Sequence, residues 1–311
     1  MQSSSRLFPV TLAATEMAAE LYEDVYLMNP GVSPDPTVRI AATRVRDPAW
    51  QGMRFPLVLV HSEFSNRRQW LAPQGEGFAG LLARYGFDVW LPEMRGHGLS
   101  PGNRNWASGH VALLAEEDFV PIHRFVDEQS GLEPVWVGQG LGALLLAHAM
   151  VHNQKLLRSI PGVIFIEPGS PVSHWTAREL SFFERLNLSR HDRISGPRRN
   201  WGPEDEPSTL FRDLYRTQRR CRRGRSHPVY DGLRMVRCPS LTVSLDHDDE
   251  AREFASRLGG QIRQTLFAAR YESEGSHKGA GVLTPAIQND IRAWLDDVSR
   301  EVHSSGFSRA L

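Results

Sequence analysis

The sequence predicts an α/β protein: a mostly parallel, doubly wound sheet with an inserted helical cap. Three observations carry this. Short apolar runs recur at Pro56–Val60, Phe87–Leu91, Pro134–Val137 and Val163–Ile166; runs without polar alternation suit strands buried on both faces of a sheet. Helical stretches alternate with them, which gives strand–helix–strand units. The alternation breaks after Gly169 and resumes at Leu241–Leu245, so residues 170–225 read as an insertion into one sheet.

In chain order, residues 1–36 form an N-terminal extension ending in the loop-like NPGVSPDP. The spacing of Met17, Leu21 and Val25 predicts a short amphipathic helix within it. Val38–Val45 reads as an edge strand. Pro56–Val60 is the first buried strand and runs into His61-Ser62. Phe78–Tyr85 reads as a helix stopped by Gly86. Phe87–Leu91 is the next strand, followed by a Gly- and Pro-rich loop over residues 91–102. Phe119, Ile122, Phe125 and Val126 give the helix Glu116–Gln129 its apolar face. After the strand ending at Ile166, the inserted residues carry short helices near Phe182–Leu188 and Leu210–Thr217. A helix at about Glu250–Leu258, an extended run at Ile262–Ala268 and a helix at Pro285–Val298 close the core, which comprises residues 37–169 and 226–311.

Composition narrows the function. The chain of 311 residues balances 36 Lys and Arg against 36 Asp and Glu, which argues against a nucleic-acid partner. No apolar run approaches the length of a membrane span. Cys221 and Cys238 are the only cysteines, so a reducing compartment fits. The first twenty residues make a poor signal peptide, and the chain reads as cytoplasmic. Residues 178–225 hold thirteen Arg against seven acidic residues. This basic stretch reads first as a solvated face and second as a recruiter of an anionic ligand such as an acyl-CoA.

The most informative stretch is residues 133–153. A short strand enters the turn Gly138-Gln139-Gly140-Leu141-Gly142 and an apolar helix, Leu141–Met150, leaves it. Such a turn aims helix N-terminal N–H groups at whatever binds. The frame is that of the elbow G-x-S-x-G, whose central residue is an attacking serine; here the centre is Gly140. Two later loops follow strands on the same sheet edge, Asp246-His247-Asp248-Asp249-Glu250 and the loop of His277. Turn, acid, histidine is the order of the corresponding triad.

On these residues the chain resembles the α/β-hydrolase family, in its esterase, lipase and thioesterase branches. A family strand ends in His-Gly, here His61-Ser62. A family loop D-x-R-G-x-G-x-S is matched by Glu93 to Ser100 with Glu for Asp. Asp88 to Leu91 and Gly275 to Gly281 look like the acid-lipase and polyester-synthase side of the family. The resemblance covers roughly residues 37–168 and 230–300. It implies an acid at Asp248, with Asp246 as the second choice, and a base at His277. It implies an oxyanion hole from the N–H of Leu141 and one more among Ser62, Glu63 and Phe64, with Gln139 beside the elbow. The nucleophile falls on Gly140, which has no side chain.

A serine hydrolase needs a hydroxyl to form its acyl-enzyme. Losing the nucleophile of a triad costs about 10⁶ in turnover and leaves about 10³–10⁴ over water. The elbow conformation strains a residue with a side chain by about 1–3 kcal/mol and glycine not at all. The expectation is therefore an ester, thioester or acyl-ligand pocket with conventional serine-hydrolase activity absent or very weak: a pseudo-enzyme or a non-covalent catalyst. One alternative is a hydrolase in which His277 activates a water. Ser62 and Ser100 are conceivable surrogate nucleophiles, Ser100 reading as structural and Ser62 as lacking a base. His61 and His97 read as loop-ordering hydrogen bonders. Another alternative takes Gly138–Ala143 as G-x-G-x-x-A with Glu167 as a ribose-binding acid, a dinucleotide fold. No cofactor is implied. Asp246, Asp248, Asp249 and Glu250 read equally as a solvated helix start, and neighbouring carboxylates cannot all face one metal ion.

Overall fold

The computed structural model describes residues 3–52, 54–72, 77–168, 191–221, 223, 225, 227, 229–244, 249–260, 263–267 and 283–304. Among them a nine-stranded sheet runs in the order β1-β2-β3-β5-β4-β6-β7-β10-β11. Its first three strands are β1 (Val10–Ala18), β2 (Leu21–Met28) and β3 (Ile40–Arg46). They form an antiparallel meander that joins the rest through β3 against β5 (Phe87–Pro92). From β5 onward the pairings through β4 (Phe55–Val60), β6 (Val135–Gln139), β7 (Val163–Ile166), β10 (Ser240–Ser244) and β11 (Arg263–Phe267) are all parallel.

The meander corrects the expected N-terminal helix. The chain turns between β1 and β2 at Ala19 and Glu20, with φ of 48° and 66°, the two-residue hairpin geometry that matches strand twist. Leu21 is buried, whereas Met17 is 61% exposed, so the spacing of four that links them marks no common face. In β2 the buried residues Asp24, Tyr26 and Met28 alternate with half-buried ones, the period of a strand. Because β2 and β1 lie outside it, β3 is an interior strand, not an edge.

The parallel strands follow the apolar runs. β4, β5, β6, β7 and β10 are buried along their whole length. Helices cover both faces. On one, Val111–Ser130 and Leu141–His152 pack around Trp90, Phe125 and Trp136. On the other, Phe78–Arg84 and Pro285–Ser304 pack around Trp70, Leu82 and Trp294. Between β7 and β10, where helices alone were expected, the described residues add a two-stranded ribbon. It pairs β8 (Arg193–Ser195) with β9 (Asp205–Pro207), and the helix Ser208–Cys221 follows. The expected helix at 182–188 lies outside the described residues. Both cysteines are free. No helix among the described residues is long and apolar enough to cross a membrane.

β4 leads to β5 on one side, and β6 leads to β7 on the other. Their carboxyl ends therefore open away from each other, the crevice where open α/β sheets hold ligands. Val60 pairs with Gly138 at that end. This register brings Ser62–Phe64 beside Gly140.

Candidate functional site

The turn after β6 is the expected sharp elbow. Gly140 has φ 53° and ψ −118° and starts the helix Leu141–His152 as its N-cap. Its N–H donates to Ile166 O at 3.0 Å. A Cβ on Gly138 would lie 2.7 Å from Ala143 Cα, and one on Gly142 would lie 2.5 Å from His61 O. Both flanking glycines are therefore required by close backbone approach.

Gly140 faces the loop after β4, and two side chains fill the space that a residue 140 side chain would take. A Cβ on Gly140 would meet Ser62 Oγ at 2.3 Å and Glu63 Oε2 at 2.8 Å. Ser62 Oγ donates to Glu63 Oε2 at 2.6 Å, and the Leu141 N–H donates to the same oxygen at 3.0 Å. A carboxylate at a helix N-terminus is favoured by the dipole and the unsatisfied N–H groups there. Ser62 and Glu63 are both buried.

Two of the other N–H groups expected to bind an oxyanion, those of Ser62 and Phe64, also have internal acceptors. Ser62 N–H donates to Gln69 Oε1 at 3.0 Å, and Gln69 Nε2 donates to Gln139 Oε1 at 2.8 Å. Phe64 N–H donates to Glu206 Oε1 at 3.0 Å. Phe64 has φ 53°. It is held there from the ribbon side, where its ring packs on Trp201 and Phe211 and its carbonyl accepts from Glu204 N–H at 3.0 Å. The loop is thus fastened by residues more than a hundred positions away.

The histidines near the crevice order loops, as their sequence positions suggest. Met94 N–H donates to His61 Nε2 at 3.1 Å, so the ring proton sits on Nδ1 and reaches Ser62 O at 2.8 Å. Burial, with His97 beside it, holds the His61 imidazole down to about 3. For His97, burial opposes the charge, but Glu206, with Oε2 at 3.6 Å, together with Glu204 and the Asp205 carbonyl outweighs it and raises the pKa. Burial also raises Glu93, whose carboxylate accepts from Leu99 N–H at 2.9 Å and Arg67 N–H at 3.1 Å. Ser100 Oγ donates to Glu93 O at 2.7 Å and accepts from Ala41 N–H at 2.8 Å. Both bonds are structural.

The structure therefore brings together Gly140, Leu141, Gln139, Ser62, Glu63 and Phe64. Asp246, Asp248 and His277 lie outside the described residues. The roles of Glu63, Gln69 and Glu206 as acceptors were missed. For Glu63 and Ser62 the sequence held a signal, the serine standing where the resemblance has glycine; for Gln69 and Glu206 it held none. The dinucleotide alternative is not favoured. The Leu141 N–H that would face a pyrophosphate already holds a carboxylate, and like charges there repel.

Comparisons with known proteins agree with this architecture. Residues 57–286 match the model of a family described as the alpha/beta hydrolase family. Over 123 residues the chain is 26% identical to a tear acid lipase-like protein of Mesocricetus auratus, covering 37% of this chain and 31% of that protein. The match thus spans about a third of that relative's length. Among solved structures, a cold-adapted esterase from an Arctic intertidal metagenomic library aligns with TM-score 0.54 and 12% identity, over 93% of this chain and 97% of that one. Mouse alpha/beta hydrolase domain-containing protein 10 aligns with TM-score 0.53 and 14% identity, over 87% and 98%. A hypothetical protein of Pseudomonas aeruginosa aligns with TM-score 0.62 and 11% identity, over 91% and 95%. At these identities the structures speak for the fold.

Proposed function

The chain belongs to the alpha/beta hydrolase family, and from that premise we propose that it binds an ester, thioester or acyl ligand over the β4–β6 crevice without processing it through an acyl-enzyme at residue 140. One observation carries the reading: the elbow backbone is present at Gly140, and it presents no side-chain oxygen. The lipase-like relative and the esterase among the structural neighbours support the ligand class. Asp248 and His277 are the acid and base that this reading assigns. With no hydroxyl at the elbow, the histidine has no partner there to activate.

Two measurements test it. Sustained p-nitrophenyl butyrate hydrolysis is expected to stay within about 10³–10⁴ of the reaction in water, the level left when a triad lacks its nucleophile. Dodecanoic acid or dodecanoyl-CoA is expected to raise the melting temperature, as any ligand of the folded state does, and NAD and NADP are not. Sustained turnover well above that level and lost in His277→Ala would replace this reading with a water-activating hydrolase. A melting shift with NAD alone would overturn the ligand class.

A further inference from the structure

We propose that Ser62 has taken over as the nucleophile of this site, with Glu63 as its base, and that it accepts an acyl group from an ester or thioester. The proposal rests on the acyl pocket inferred above and adds the chemistry within it. Its ground is a reciprocal placement. The elbow has glycine where a hydroxyl would stand, and the facing loop carries a hydroxyl in the same space: Ser62 Oγ lies 2.3 Å from the Cβ position of residue 140. That distance places the oxygen in the space that the side chain of an elbow residue would take. The serine also has the base that the sequence alone did not reveal. Ser62 Oγ already donates to Glu63 Oε2 at 2.6 Å, the contact a general base makes with the proton it removes.

The step balances within the pair. Ser62 Oγ bonds to the acyl carbon as its proton passes to Glu63. The carbon–oxygen or carbon–sulfur bond of the ligand then breaks, and the leaving alkoxide or thiolate takes the proton from Glu63, which returns to carboxylate. While protonated, Glu63 is a weaker acceptor, so the Leu141 N–H becomes available to the oxygen that develops negative charge. The N–H groups of Ser62 and Phe64 stay committed to Gln69 and Glu206. Lacking those donors slows acyl transfer by about 10²–10³ per donor. Both half-reactions are slowed, and because a serine ester is less reactive than an activated p-nitrophenyl ester, release is the slower of the two; with such an ester, acylation of Ser62 is expected as a single event per chain, in keeping with weak sustained turnover.

The test is covalent mapping on the full chain. A fluorophosphonate, and separately p-nitrophenyl acetate, is incubated with the protein, and the peptide spanning residues 55–67 is sequenced by mass spectrometry. That peptide holds Ser62 and also Ser65. The expected result is an adduct on Ser62, lost in Ser62→Ala, kept in Ser65→Ala, and formed about 100-fold more slowly in the isosteric Glu63→Gln. p-Nitrophenyl acetate is expected to release about one p-nitrophenolate per chain in a burst, the kinetic mark of an accumulating acyl-enzyme. Mapping on the unaltered chain decides the matter even if a variant fails to fold. A melting shift with dodecanoic acid but no adduct on Ser62, or an adduct that survives Ser62→Ala, overturns the nucleophile and leaves the pocket standing. Neither shift nor adduct removes both.

Discussion

Placing a serine at residue 140 would give the elbow a hydroxyl, and the geometry predicts that this change alone is costly. Its Cβ would lie 2.3 Å from Ser62 Oγ, and φ of 53° adds strain of about 1–3 kcal/mol for a residue with a side chain. Gly140→Ser is expected to lower unfolding stability by more than the strain alone. Ser62→Gly combined with Gly140→Ser is expected to recover part of that loss, because the two changes share one space and their effects are not additive. Urea melts of the three variants check this; equal stability of single and double variants would contradict it. His61 makes a second prediction at this scale. Its pKa is about 3 in the fold against an ordinary 6.5, so between these values the unfolded chain binds more protons. Stability is therefore expected to fall as pH drops from 6.5 toward 3, by about 1.4 kcal/mol per pH unit for one proton. His148 and His227, each held near 4 chiefly by burial, steepen the slope above that value. His61→Gln, measured by urea melts at several pH values, is expected to flatten it by up to one proton. As letters, Gly140 and Ser62 both depart visibly from the resembled pattern. Their meeting across the crevice is a fact of register between β4 and β6, which no local spacing encodes.

Among the elements, the apolar runs were legible because a strand buried on both faces needs no alternation. The first two strands were not, since Met17, Leu21 and Val25 recur at a helical spacing by coincidence. Met17→Lys is expected to change stability by less than about 0.5 kcal/mol, as exposed substitutions do. Leu21→Ala is expected to cost about 2–5 kcal/mol. A helical face would make both costly, and equilibrium unfolding of the two variants decides. The ribbon of β8 and β9 escaped for another reason. Its strands are three residues each, and β9 reads Asp-Glu-Pro, residue types that disfavour strands. Yet this ribbon positions the loop after β4 through Glu206 and the packing of Phe64. Phe211→Ala empties part of that cluster and is expected to cost about 3–5 kcal/mol. It is also expected to loosen the loop, read as faster hydrogen exchange at the Phe64 amide than the global loss of stability explains.

Across the whole molecule, the antiparallel meander is fixed to the parallel sheet by a buried ion pair as well as by strand pairing. Arg44 Nε and Nη2 reach Asp88 Oδ1 and Oδ2 at 2.7 Å each, and Ser130 Oγ donates to Asp88 Oδ2 at 2.8 Å. Asp88→Ala strands the guanidinium and is expected to cost about 3–5 kcal/mol in a urea melt. The overall plan was readable because each strand–helix unit announces itself locally. The attachment of the first thirty residues was not, because it depends on a pairing between β3 and β5 that crosses some fifty positions. The crowding between residues 62 and 140 also sets an order on descent. A chain that gained an elbow hydroxyl first would crowd it against Ser62 Oγ and Glu63 Oε2, whereas one that first trimmed position 62 would give up the hydroxyl bonded to Glu63. A relative carrying serine at the elbow is therefore expected to carry a smaller residue than serine across from it.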